Sequence, residues 1–135
     1  MFFIDLPNFN RIVEFCKNGL PNESCGLLAG EISENVKIVK KVYFLKNLDE
    51  SPNHFSMAPE EQFAAIKDIR ANNWQLLGNF HSHPNSPARM SNEDLRLAFD
   101  TNLTYFILSL QSQPILKAFT IDKAKNVSEV EILIK

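Results

Sequence analysis

The chain has 135 residues, 44% of them hydrophobic, and a formal net charge of -2 with its Lys and Arg scattered. That length suits one domain spanning 1–135, and the apolar content is too high for a disordered chain. The charge supplies no global field to draw in nucleic acid or an anionic membrane, so neither is expected as a partner. No stretch approaches the roughly 20 apolar residues of a transmembrane helix. The opening MFFIDLPNFN lacks the basic start and apolar run of a signal peptide, so a cytoplasmic protein is expected. Cys16 and Cys25 match no zinc-finger spacing and read as buried thiols.

Apolar periodicity predicts a helix over 8–18, with Phe9, Ile12, Val13, Phe15 and Cys16 near helical spacing and Gly19 as its stop. A strand over 23–29 (ESCGLLA) ends at Gly30, and a second covers 36–46, rich in Val, Ile and aromatics. Residues 47–58 read as a loop with room for a short strand at 54–57. Pro59 begins a helix that runs to Ala71, with Glu60 and Glu61 in its first turn and Phe63, Ile66 and Ile69 on one side. Residues 74–81 (WQLLGNFH) form a strand, with Trp74 and Phe80 expected in the core, and 91–99 form another helix. Three late strands cover 104–110, 114–121 and 128–134. Helices interrupting a strand-rich chain predict an α/β (α+β) sandwich, with one mixed, mainly antiparallel sheet flanked by helices.

The strand over 74–81 delivers His81-Ser82-His83. Strand residues two apart point the same way, so both imidazoles can face one side. Pro84 biases His83 towards extended backbone, and Pro87 limits the following loop. Asp94 lies in the first turn of the next helix, where its carboxylate can swing back to the histidines. Two nitrogens and one oxygen leave a fourth position open on a zinc ion. Glu23, far upstream, completes a hydrolytic set.

Each residue alone has an ordinary explanation, since Ser91 reads as an N-cap and Glu23 as an exposed carboxylate. It is their ordered combination that points to a metal. Ser82 points away from the pair. Cys25 shares strand parity with Glu23 and reads as a buried thiol, while His54 has no partner at ligand spacing. Asn85, Ser86 and Arg89 flank the site and can touch substrate.

The order Glu23, His81-x-His83, seven residues, Ser91, two residues, Asp94 resembles the signature of the JAMM/MPN+ (JAB domain) zinc metalloproteases of compact prokaryotic type. The likeness extends from Glu23 to Leu110 through ESCGLLAG, HFSMAPEE and LLGNFHSHP, with Met90 standing where many relatives have proline.

The resemblance implies a cytidine-deaminase-like/MPN sandwich with one zinc on His81, His83 and Asp94, and a water of lowered pKa in the fourth position. It implies Glu23 as the group that takes and returns the proton, and Ser91 as the hydrogen-bond donor to the oxyanion. It further implies cleavage of a peptide or isopeptide bond at the C-terminal tail of a ubiquitin-like or sulfur-carrier protein. Two other readings stand beside it: a non-catalytic MPN scaffold that binds partner domains, and a metal-dependent hydrolase of a small-molecule amide.

Overall fold

In a computed structural model describing residues 1–135, the chain begins with β1 (Phe2–Ile4), α1 (Leu6–Asn18), β2 (Cys25–Ser33) and β3 (Val36–Leu45). It continues through α2 (Pro59–Ala71), β4 (Gln75–His83) and α3 (Asn92–Leu97), and ends with β5 (Thr104–Ser109), β6 (Ile115–Ile121), β7 (Val127–Val130) and β8 (Ile132–Ile134). All the strands join one sheet in the order β7-β6-β5-β4-β2-β3-β1-β8. The β2–β3, β2–β4, β5–β6 and β6–β7 pairings are antiparallel, whereas β1–β3, β1–β8 and β4–β5 are parallel. The α+β class with a mixed, mainly antiparallel sheet is as the sequence predicts.

β7 and β8 end the strand order on opposite sides, yet only Glu131 separates them along the chain. The sheet must therefore curl until its ends meet. The Phe2 amide donates to the Glu131 carbonyl at 2.9 Å. The Phe2 ring meets Phe106 of β5 edge-on at 4.8 Å, although β3, β2 and β4 lie between their strands. On its side away from β2, β3 pairs with β1 only at Lys37 and Ile38.

α1 covers one face of the sheet. Asp5 caps it by accepting the Asn8 amide at 2.9 Å, so the helix begins at Leu6 and not at residue 8. Ile12 and Cys16 drop into a cluster with Phe2, Ile4, Phe80, Phe106 and Leu108. α2 covers the other face, where Ala65 packs with Cys25, Leu27 and Leu45.

Alternation along β4 sends Phe80 and Ser82 towards α1 and sends Asn79, His81 and His83 towards the α2 face. The β2–β4 register shifts between Leu28 and Ala29. This irregularity lets Leu77 join the same cluster as Phe80. Gly78 meets β5 so closely that an added Cβ would collide with the Thr104 carbonyl oxygen.

Several elements differ from expectation. β1 was unforeseen, because three residues are too few to show alternation. β2 runs past Gly30 to Ser33 and starts after Glu23. The last strand is split at Glu131, where the chain leaves β6 for β1. α3 is shorter than 91–99, since Ala98 is already extended. The strand at 54–57 is a single bridge between Asn47 and Met57. Phe63 is 65% exposed, because α2 faces inward through Ala65 and Ile69. Trp74 is half-buried at the helix–strand turn, while Phe80 is fully buried. No helix is long and apolar enough to cross a membrane.

Phe106 is fully buried where the curled sheet closes on itself. Phe106→Ala is expected to cost about 3–5 kcal/mol, read as a lower urea midpoint at unchanged slope.

Candidate metal centre

The two histidines stand at the C-terminal end of β4, held between strands on both sides. His81 lies opposite Cys25 of β2 and Ile107 of β5, and His83 lies opposite Ser109. The strand thus stays extended through His83, as Pro84 favours. The rings are then turned inward: His83 Nδ1 sits 2.9 Å from the Pro87 carbonyl oxygen, to which it donates. Phe55 stacks on His81 at 4.8 Å. The two Nε2 atoms approach to 3.1 Å.

Asp94 completes the group from the start of α3. Its Oδ1 lies 3.2 Å from His81 Nε2 and its Oδ2 3.1 Å from His83 Nε2. The same carboxylate accepts the Ser91 amide at 3.0 Å, while the Ser91 hydroxyl accepts the Asp94 amide at 3.0 Å. This reciprocal cap fixes the carboxylate relative to the helix. One ligand atom from each of His81, His83 and Asp94 lies within 4.8 Å of the others.

The donor set fits a divalent metal. With its Nδ1–H committed to Pro87, a neutral His83 presents a lone pair at Nε2 to a second imidazole nitrogen and a carboxylate oxygen. Those three atoms are close enough to share a cation, and two imidazoles with one carboxylate suit zinc with an open position. Without metal, a proton serves. Burial resists charging His83, but its hydrogen bond to Asp94 and its bond to Pro87 outweigh this and raise its pKa. Burial likewise resists ionising Asp94, yet the hydrogen bonds from His81 and His83 hold its carboxyl far below the usual range.

Glu23 approaches from the loop before β2. Its amide donates to Ser51 at 2.8 Å and its carbonyl accepts from Asn47 Nδ2 at 2.9 Å. The next residue, Ser24, exchanges bonds with Ser82 through the hydroxyl at 2.8 Å and the backbone amide at 2.9 Å. Ser82, facing away from the histidines as expected, therefore ties the Glu23 segment to β4. The Glu23 side chain is only 7% exposed and lines a polar cavity with His83, Asn85, Ser91 and Glu93. Burial pushes its carboxyl up to about 8; His83 opposes the shift, and Asp94 and Glu93 reinforce it.

Ser91 lines the same cavity. The sequence marks Ser91 both as an N-cap and, by resemblance, as an oxyanion donor. The cap, however, uses only an oxygen lone pair, leaving the O–H free to donate. Asn85 and Ser86 also line the cavity, whereas Arg89 lies on the outer side of the 84–90 loop beside Lys117.

Cys25 is fully buried, with its thiol 3.9 Å from the Leu45 carbonyl. Burial, aided by Glu61, Glu23 and Asp49, pushes the thiol up to about 12, so it stays protonated and outside the histidine–aspartate group. His54 pairs with Glu93 at 2.6 Å, pinning the 47–58 loop to α3.

Two features escaped sequence reasoning: the Phe55 stack and the apolar cleft beyond His81, lined by Phe55, Met57, Met90, Leu97 and Tyr105. These residues come from four separate segments with no shared periodicity.

The raised Glu23 pKa has a definite sign for stability. The unfolded carboxyl titrates near 4.5 and the folded one near 8. The stability tied to Glu23 is thus fully present below pH 4.5 and is lost as pH rises through 8. In metal-free protein, Glu23→Gln is expected to raise the melting temperature at pH 8.5, with the gain shrinking towards pH 4.5, in parallel thermal scans.

Comparison with known proteins places this geometry. The family model described as prokaryotic homologs of the JAB domain matches residues 6–122. A Pyrococcus furiosus protein named desampylase is 31% identical over 113 residues, covering 84% of this chain and 76% of its own. A Desulfitobacterium hafniense protein solved in solution is 48% identical, with a TM-score of 0.91 over 100% of this chain and 93% of its own. A JAB1/MPN domain protein from Archaeoglobus fulgidus shares the fold at 23% identity and a TM-score of 0.61, over 99% of this chain and 98% of its own. The chain belongs to the prokaryotic JAB-domain family.

Proposed function

We propose that this protein is a JAMM-type zinc hydrolase that cleaves a peptide or isopeptide bond at the C-terminal tail of a ubiquitin-like or sulfur-carrier protein, with residues 1–135 acting as one JAMM/MPN domain. The observation that carries the reading is the convergence of His81, His83 and Asp94 beside a buried Glu23 that lines the adjoining cavity with His83 and Ser91. The relative named desampylase supports the same class of substrate.

His81, His83 and Asp94 would hold the metal. Zinc there would supply a Lewis-acidic position that lowers the pKa of water towards neutrality. Glu23, across the polar cavity, takes a proton from the attacking water and passes it to the leaving amine. The free O–H of Ser91 donates to the scissile carbonyl oxygen as negative charge develops there. The reciprocal cap holds Ser91 and Asp94 in register, so oxyanion donor and metal ligand are positioned together.

A purely scaffolding domain has no use for three inward-turned ligand atoms and a buried carboxylate, so the complete set favours the enzyme over the non-catalytic reading. A small-molecule amide remains the second substrate class, and direct assay separates the two.

Tail-extended carrier proteins and isopeptide-linked conjugates are the substrates to assay. Glu23→Gln is expected to keep stoichiometric zinc but lose turnover, and equal turnover by wild type and this variant would sink the proposal. Ser91→Ala is expected to lower kcat by about 100- to 1000-fold, and also to lose about 1 kcal/mol of stability as the cap disappears. Chelation should abolish activity and zinc should restore it, whereas His81→Ala should bind no stoichiometric metal by elemental analysis.

A further inference from the structure

Two groups reach the histidine–aspartate cluster from separate segments. Phe55 stacks on the His81 ring at 4.8 Å, and Glu23 lines the polar cavity beside His83. Where each stands depends on how its backbone is held, and one side chain holds both. Asn47, two residues after β3, donates through Nδ2 to the Glu23 carbonyl and to the His54 carbonyl, each at 2.9 Å. Its Oδ1 accepts the Asp49 amide at 3.0 Å and the Ser56 amide at 3.2 Å. An asparagine amide has two N–H donors and one oxygen with two lone pairs, so every bond this one can make is made. Two carbonyls on one side and two N–H groups on the other leave it a single orientation.

The bonds to His54 and Ser56 fall on the two peptide groups that flank Phe55. The same amide therefore grips the backbone before and after the ring. Other bonds close the frame: the Leu48 amide donates to the Ser56 carbonyl at 2.9 Å, and His54 pairs with Glu93 of α3 at 2.6 Å. Glu23 joins this frame through both its backbone groups, since its amide donates to Ser51 of the same loop. Asn47 is the point where the support of Phe55 meets the support of Glu23. Aspartate there would set a carboxylate oxygen against two carbonyl oxygens, and alanine would leave all four groups without this partner.

We propose that Asn47 is a positioning residue of the active centre: its one amide fixes the Glu23 segment and the Phe55 ring relative to each other, so that the base and the ring against the metal ligand are placed together. This rests on the reading of Glu23 as the base and His81 as a ligand. Asn47 lines neither cavity. It acts through the backbone of the two residues it holds.

Hydrogen exchange by NMR on metal-free protein reads the frame directly. Asn47→Ala is expected to speed exchange of the Glu23 and Ser56 amides by about 5- to 10-fold and to leave the β4 amides unchanged. Asn47→Asp, which keeps the acceptor oxygen and loses both N–H groups, is expected to speed Glu23 and spare Ser56. With zinc and a tail-extended carrier protein, Asn47→Ala is expected to keep stoichiometric metal while kcat falls by about 10- to 100-fold. Wild-type exchange at Glu23 or wild-type kcat in Asn47→Ala would overturn the inference, even with a lower melting temperature, which is all that a merely structural residue would change.

If Asn47→Ala does not fold, the wild type decides. Slow exchange of both Asn47 side-chain N–H protons supports the role, and fast exchange of either removes it. A wild type inert towards every carrier protein and conjugate assayed overturns the enzyme reading and leaves hydrogen exchange to judge Asn47. An active wild type matched by Asn47→Ala removes only the part given to Asn47.

Discussion

One carboxylate ties the whole site together. Asp94 accepts a backbone hydrogen bond from Ser91 while its two oxygens face the Nε2 atoms of His81 and His83. It therefore belongs to a helix cap and to the proposed metal site at once. A side chain that had to be ordered only when a metal bound would lose conformational entropy at that moment. Here the cap has already taken up much of that loss, because α3 cannot begin at Ser91 without placing the carboxylate. The short helix of 6 residues has little intrinsic stability, so cap and cation site support each other.

Around this anchor the fold creates two acids of opposite character. Asp94 shares its charge with two imidazoles and stays ionised, whereas Glu23, buried in the neighbouring cavity without a cation in contact, holds its proton to about pH 8. Pairs of titratable groups driven apart by their surroundings are how one site houses both a permanent anion and a group that exchanges protons. The separation depends on the Glu23 backbone being pinned at several points, to Ser51, to Asn47 and, through Ser24, to Ser82. Ser82, silent as a ligand, is thus what joins the upstream loop to the histidine strand.

The clustering of His81, His83 and Asp94 was legible because their spacing is local. His81 and His83 share a strand parity, and Asp94 follows one short loop later at a helix start marked by Ser91. The strands and helices that carry them show ordinary period-2 and period-3.6 patterns. β1 and the split at Glu131 were not legible: short segments carry too little pattern, and their pairing follows from the curl of the sheet. Phe63 misled for a related reason. Helical spacing identifies a stripe, but α2 turns Ala65 and Ile69 inward because the sheet face there has room for small and branched side chains.

Residue order by itself determined the chemical kinds present: two imidazoles in phase, a capping serine three residues before an acid, and a distant glutamate. Only the tertiary structure decided that Glu23 reaches the same cavity, that Phe55 lies on His81, and that Asn79 and His81 share a cleft. The reason is physical. Spacing along a strand or helix follows from backbone geometry and can be counted, whereas proximity between distant segments depends on how a curled sheet and its loops pack, which no local period encodes.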